Sequence, residues 1–187
     1  MKTMLLIVFV LALLGVGAWF VAGSRNAALG QAKGMSNKLT LVSSAFNDGG
    51  YIPDRYSPFG ANINPPLAWD NVPRGTKSFL LTMEDPDVPV GTGVAVWDHW
   101  VVFNIPPSVA SIPEDWKIEG VRGGGTHGSL DYVGPRPPDR EHRYYFTLYA
   151  LDQVLPFPEG TAKSVLVGVI SRHILGKSVL MGRFALH

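Results

Sequence analysis

The chain has no cysteine. That excludes disulfides, a thiol nucleophile and a lipid-modified cysteine as a tether. Charge is also scarce: Asp, Glu, Lys and Arg make up 17% of the 187 residues, against about 25% in an average soluble chain. A basic excess is missing where it would matter. Residues 1–37 carry Lys2, Arg25 and Lys33 and no acid, which leaves 13 basic and 15 acidic side chains in the remainder, a formal −2. A nucleic-acid surface shows a basic excess, so nucleic acid is excluded as a partner and any recognition of anions must be local. The chain lacks a G-x-x-x-x-G-K-[ST] phosphate loop, an H-E-x-x-H zinc motif and a G-x-S-x-G elbow. The glycine run at 123–125 has no strand and helix around it in the order a dinucleotide fingerprint requires. There is no internal repeat and no low-complexity tract.

What is present begins with apolar residues, 46% of the chain, alongside 21 Gly and 15 Pro. Part of the charge deficit is local. Residues 4–22, MLLIVFVLALLGVGAWFVA, hold no charge. A helix rising about 1.5 Å per residue would there nearly cross a hydrocarbon layer of about 30 Å, with Trp19 placed as an interface anchor. The run exceeds the apolar core of an ordinary signal peptide, although Ala22-Gly23-Ser24 would serve as a cleavage site. The expectation is a membrane anchor over 1–22 with an extracytoplasmic domain, or a secreted or periplasmic domain after cleavage. Residues 23–37 are small and polar and read as a linker. A single domain is expected over 38–187.

Within that domain, residues 38–46 alternate apolar and polar and predict a first strand. Residues 47–69 are turn-rich and predict a long ordered loop. Residues 78–85, 95–105 and 141–152 are rich in aromatic and β-branched side chains and predict strands. Residues 161–176, with Thr161 before and Gly176 after an apolar periodicity, predict a helix. A short strand is expected over 178–186. Strands with turn-rich connections and one convincing helix predict a mainly β fold, an antiparallel β-sandwich with a few peripheral helices.

A period of two puts His142, Tyr144, Phe146, Leu148 and Ala150 on one strand face, and Trp97, His99, Val101 and Phe103 on another. Each strand thus carries one His near its beginning, on a face otherwise apolar or aromatic, and two such strands starting at one end of a sandwich could bring the pair together. Either His alone reads more simply as a hydrogen-bonded core residue. MEDPDVP, 83–89, follows a strand directly; its Asp85 and Asp87 flank Pro86, and an Asp-stabilised turn is the simpler reading. GPRPP, 134–138, is too short for a polyproline ligand and reads as a rigid loop wall, with Arg136 in its middle reaching an anion or water. His173 is expected in the last helical turn, favoured there by the helix dipole. His127 and His187 receive no role.

MEDPDVP, DHWVVFNIP, YVGPRPPDREHRYYFTLYALD and HILGKSVLMGRFAL stand in an order that resembles the phosphatidylethanolamine-binding protein family, and in particular its bacterial branch described as Raf-kinase-inhibitor-like. SSAFNDGGYIP and NPPLAWDNVP extend the resemblance over nearly all of 39–186. It implies a central antiparallel β fold with a small pocket for anions such as phosphate or acetate, and for phospholipid head groups in some members. Carried over by motif, the pocket uses Asp85 and Asp87 from D-P-D and His99 from the H-W-V strand, with Pro138 as a wall and His142 and Tyr144 from H-R-Y. Two imidazoles beside a carboxylate can share protons, and a bound oxyanion favours their charged forms. An Asp orients one His, while the two His and the Tyr144 hydroxyl donate to the anion. Arg136 stands where the family often has a small residue or Cys, and would add charge or cap the entrance. Asn64 replaces an expected Ser. The resulting expectation is a binding module, not an enzyme, with no cofactor and no metal, although residues 85, 87, 99 and 142 are of metal-ligating types. Two alternatives remain: an inhibitor of a kinase or peptidase acting through protein contacts, as some relatives do, and a weak phosphoester-processing enzyme using the Asp–His cluster.

Overall fold

The computed structural model describes residues 38–186. The apolar stretch 4–22 and the linker 23–37 lie outside the described residues. Among the described residues no helix is long and apolar enough to cross a membrane.

Eight strands and one α-helix follow in the order β1 (Thr40–Val42), β2 (Leu67–Asp70), β3 (Ser78–Asp85), β4 (Trp97–Ile105), β5 (Ser111–Ile112), β6 (Val121–Arg122), β7 (His142–Leu151), α1 (Lys163–Ile170) and β8 (Ile174–Phe184). They form a small sheet of order β1-β2-β5 and a five-stranded sheet of order β6-β4-β3-β7-β8. Every pairing between these strands is antiparallel.

Side-chain alternation explains why the central strands are so apolar: both of their faces are covered. Phe79, Leu81 and Met83 of β3, Trp100 and Val102 of β4, and Tyr144, Phe146 and Leu148 of β7 meet Leu41, Leu67, Trp69 and Ile112 of the small sheet in the main core. Leu80, Val101, Phe103, Tyr149 and Leu151 point the other way and pack under Leu166 and Ile170 of α1. The expected sandwich is present, with its helix on the outer face of the larger sheet.

Several boundaries differ from expectation. The first strand is only Thr40–Val42, and its partner β2 arises inside the stretch expected to be loop. The short β5 and β6 carry too few residues to show a period. The helix ends at Ile170, and Ile174 already belongs to β8, which pairs along β7 from Leu151 to His142. Neither presumed helix cap is one. The Thr161 hydroxyl donates to the Pro158 carbonyl at 2.7 Å. Gly176 sits in the strand, where a Cβ would lie 2.8 Å from Pro73 Cγ. His173 lies past the helix and bonds Asp152 Oδ1 at 2.8 Å.

Candidate functional site

β3 runs between β4 and β7 and is antiparallel to both, so its last residue meets the first residues of its two neighbours. Asp85 is opposite Trp97, and Glu84 is opposite both Asp98 and Tyr145. Strand order alone therefore brings Asp85, His99 and His142 to one end of the sheet. Alternation by itself would not place both His on the same face. Trp100 is opposite Met83 while Asp98 is opposite Glu84, leaving His99 as an extra residue. This is a β-bulge, which re-aims a side chain at a sheet end. Because of it, Val101 and Phe103 face α1, whereas His99 faces the Tyr144 side, with ring centroids 5.3 Å apart. The expected face shared by Trp97, His99, Val101 and Phe103 is thus broken between His99 and Val101.

His99 and His142 line one cavity of about 410 Å³, together with Asp85, Arg136 and Pro138; Pro58, Val88, Pro89, Trp97 and Val133 supply apolar wall. The two imidazoles are held in different ways. His99 and Val133 clamp each other. The Val133 amide donates to the His99 carbonyl at 3.1 Å, and His99 Nδ1–H donates to the Val133 carbonyl at 2.8 Å. A carbonyl only accepts, so Nδ1 carries the proton and Nε2 of the neutral ring is an acceptor. Burial pushes the His99 pKa below its ordinary value, opposed by the Val133 carbonyl and the Asp85 charge.

His142 is 1% exposed and lies between two carboxylates. Nδ1 hydrogen-bonds with Asp85 Oδ2 at 2.7 Å and Nε2 with Asp139 Oδ1 at 2.8 Å. Asp85 divides its oxygens between two tasks, since Oδ1 accepts the Asp87 amide at 2.8 Å across Pro86. The turn reading and the site reading of Asp85 therefore hold together.

Asp87 does not line the cavity and orients no imidazole. Its carboxylate takes the Arg143 guanidinium at 2.7 and 2.8 Å and the Arg143 amide at 2.9 Å. Those bonds hold its carboxyl down at about 2. Tyr144 is fully buried in the main core, with its ring 5.3 Å from that of His99. Burial together with the nearby Asp85 charge holds its hydroxyl pKa well above the usual phenol value. Arg136 is an exposed wall residue with no ion pair among the described residues. Gly134, between the two walls, has no room for a side chain: a Cβ would lie 2.1 Å from the Tyr56 carbonyl oxygen. Asn64 is structural. Its amide donates to the Pro65 and Pro113 carbonyls and its oxygen accepts the Trp116 amide at 2.9 Å. Among the described residues no group of three or more His, Asp and Glu side chains is arranged to hold a metal ion. Asp139 and Arg143 were missed from the sequence, although both flank His142 closely enough to signal contact with its strand.

A family model described as phosphatidylethanolamine-binding protein matches residues 42–185. The chain belongs to the phosphatidylethanolamine-binding protein family. An archaeal relative, the UPF0098 protein of Methanothermobacter thermautotrophicus, is 43% identical over 152 residues, spanning 78% of this chain and 98% of its own length. The UPF0098 protein of Chlamydia muridarum is 44% identical over 147 residues, with the same two coverages. Among solved structures, CT736 of Chlamydia trachomatis, described as a homologue of this family, superposes with a TM-score of 0.78 at 43% identity, covering 81% of this chain and all of its own. Escherichia coli YbcL, described as a member of the mammalian family, superposes with a TM-score of 0.73 at 26% identity over 80% of this chain and 99% of its own.

Proposed function

We propose that the cavity is a binding site for a small oxyanion, phosphate or the phosphorylated head group of a phospholipid. The observation that carries this reading is the convergence of His99 and His142 on one cavity whose lining includes Arg136, an exposed cation with no ion pair among the described residues. Protonated His99 donates through Nε2, the nitrogen left over by its bond to Val133. Asp85 acts through His142, fixing the ring from behind. The apolar wall of Trp97, Val88 and the prolines excludes water and strengthens each charge-assisted bond. The chain acts in this reading as a binding module rather than a catalyst, tethered to a membrane through residues 4–22. A protein whose activity it regulates would be a second partner. Crystals soaked in O-phosphoethanolamine test the site: density between the two imidazoles is expected, and a cavity that stays without it removes the reading.

One observation favours a second reading. The Asp85–His142 pair at 2.7 Å has the form of an acid–base dyad. Turnover of a phosphomonoester that disappears in His142→Ala would make the domain an enzyme.

A further inference from the structure

The rigid loop before β7 contributes a contact that an anion receptor does not need. Asp139 follows Pro137 and Pro138 and reaches forward to Nε2 of His142, the nitrogen directed away from Asp85. His142 is buried, while Asp139 is an exposed loop residue. A carboxylate oxygen at 2.8 Å from an imidazole N–H stands where a phosphate oxygen would stand. From this geometry we infer that Asp139 is an intramolecular stand-in for the ligand, a carboxylate that must leave His142 before an oxyanion can use both imidazoles. The inference rests on the reading of the cavity as an oxyanion site and adds what governs its affinity and selectivity.

Three observations support displacement over a permanent role. First, Asp139 has somewhere to go: its other oxygen already accepts Arg140 Nη1 at 2.6 Å, and Arg140 also reaches the Asp87 carbonyl at 3.3 Å. A carboxylate released from His142 keeps its ion pair with Arg140. Second, the local charge is wrong for binding while Asp139 is engaged. The groups around His142 are Asp85 from β3, Asp139 and Arg140 from the loop, and the Asp87–Arg143 pair beyond Pro86, with His99 across the cavity on β4. Asp87 is cancelled by Arg143 and Asp139 is shared with Arg140. Asp85 and Asp139 still place a carboxylate oxygen against each nitrogen of the one ring, with Arg136 the cation on the cavity lining, so an incoming anion meets a carboxylate at His142 until Asp139 withdraws. Third, Asp85 cannot be the one that withdraws, because it is buried and its second oxygen holds the Pro86 turn. The exchange also selects among ligands. A phosphate dianion offers more charge and more acceptor oxygens than the carboxylate it replaces, whereas a monoanionic carboxylate such as acetate offers no advantage over Asp139.

The test uses the full chain in detergent micelles, with inorganic phosphate and glycerophosphoethanolamine as probes and His ring nitrogens followed by NMR. Asp139→Ala is expected to bind inorganic phosphate at least about tenfold more tightly than the native chain. Asp139→Asn, whose amide oxygen still accepts from Nε2–H without a charge, is expected to fall between them. In the native chain the His142 Nε2 resonance should move on saturation, as one acceptor replaces another. A gain with phosphate that is not matched by glycerophosphoethanolamine assigns the exchange to a free or monoester phosphate; equal gains assign it to a lipid head group. Equal or weaker affinity in Asp139→Ala, with native binding intact, overturns the stand-in while leaving the oxyanion site standing. Failure of all three proteins to bind either probe overturns the site itself and the inference with it.

Discussion

The two walls of the cavity present the same residue in opposite electrical settings. On the β4 wall, His99 is held by a backbone carbonyl, beside aromatic and apolar side chains. On the β7 wall, His142 is clamped between carboxylates, with a second ion pair from Asp87 to Arg143 close by. Burial makes the first wall resist a proton, whereas the second sets a carboxylate against each ring nitrogen. A cavity built this way meets its ligand with one imidazole held by backbone and another whose two nitrogens are already engaged by carboxylates. The division follows from backbone geometry: the bulge at His99 turns it towards a loop carbonyl, while regular alternation in β7 turns His142 towards the end of β3.

The largest effect should come from breaking the ionic wall. Asp85→Ala leaves His142 without its buried partner, and removing one member of a buried pair typically costs about 3–5 kcal/mol. His99→Gln keeps a donor for the Val133 carbonyl and is expected to cost less than about 1 kcal/mol, the worth of an ordinary hydrogen bond. Urea unfolding of the two variants measures the contrast, and equal losses would erase the distinction between the walls.

Titration sharpens the same contrast from the other side. Burial places the folded pKa of His99 below the unfolded value of 6.5. A basic group with a depressed folded pKa binds more protons unfolded, so the free protein loses stability as pH falls from about 6.5 towards the folded pKa. Bound phosphate reverses the preference by favouring the charged ring. Affinity for phosphate should therefore be about tenfold higher near pH 5.5 than near pH 8, and His99→Gln should flatten the dependence. Calorimetry giving one affinity at both pH values would show that His99 stays neutral with ligand bound.

These walls were legible to different depths. The main strands and the place of one His near the start of each of two strands follow from composition and a period of two, whereas the meeting of the two His at one end needs the strand order. The bulge does not. His99 in DHWVVF reads as a regular strand residue, and only the register against Met83 and Glu84 reveals the extra one. The same limit applies to Tyr144, whose position in H-R-Y does not tell that its ring is fully buried in the main core. Gly176 and Thr161 imitated helix caps because a glycine needed for close approach to Pro73 carries the same letter as one that ends a helix.

A smaller effect separates the clamp on His142 from the ion pair beside it. Asp87 has its carboxyl held down at about 2 by Arg143. An acid with a depressed folded pKa stabilises the fold above its unfolded value of 3.8 and loses that contribution as pH falls towards about 2. Arg143 is half exposed, so solvent screening reduces the full linkage value to about 1 kcal/mol. Asp87→Asn should cost that much at neutral pH and nothing near pH 2, as measured by thermal melts across the range. A cost as large as that of Asp85→Ala would make Asp87 part of the clamp.

The smallest effect belongs to Arg136, which lies on the proline loop between the walls. It is exposed and unpaired among the described residues, so its attraction for an anion acts through solvent and is screened over about 8 Å at physiological salt. Arg136→Ala is expected to weaken phosphate binding about threefold at low salt, mainly by slowing association, with the difference vanishing in about 0.5 M salt. Stopped-flow measurements at two salt concentrations separate this from direct contact. A loss that persists in high salt and appears in the dissociation rate would make Arg136 a ligand in its own right. The anion would then sit at the mouth of the cavity rather than between the imidazoles, and the division of labour between His99 and His142 would have to be read as a property of the fold instead of the site.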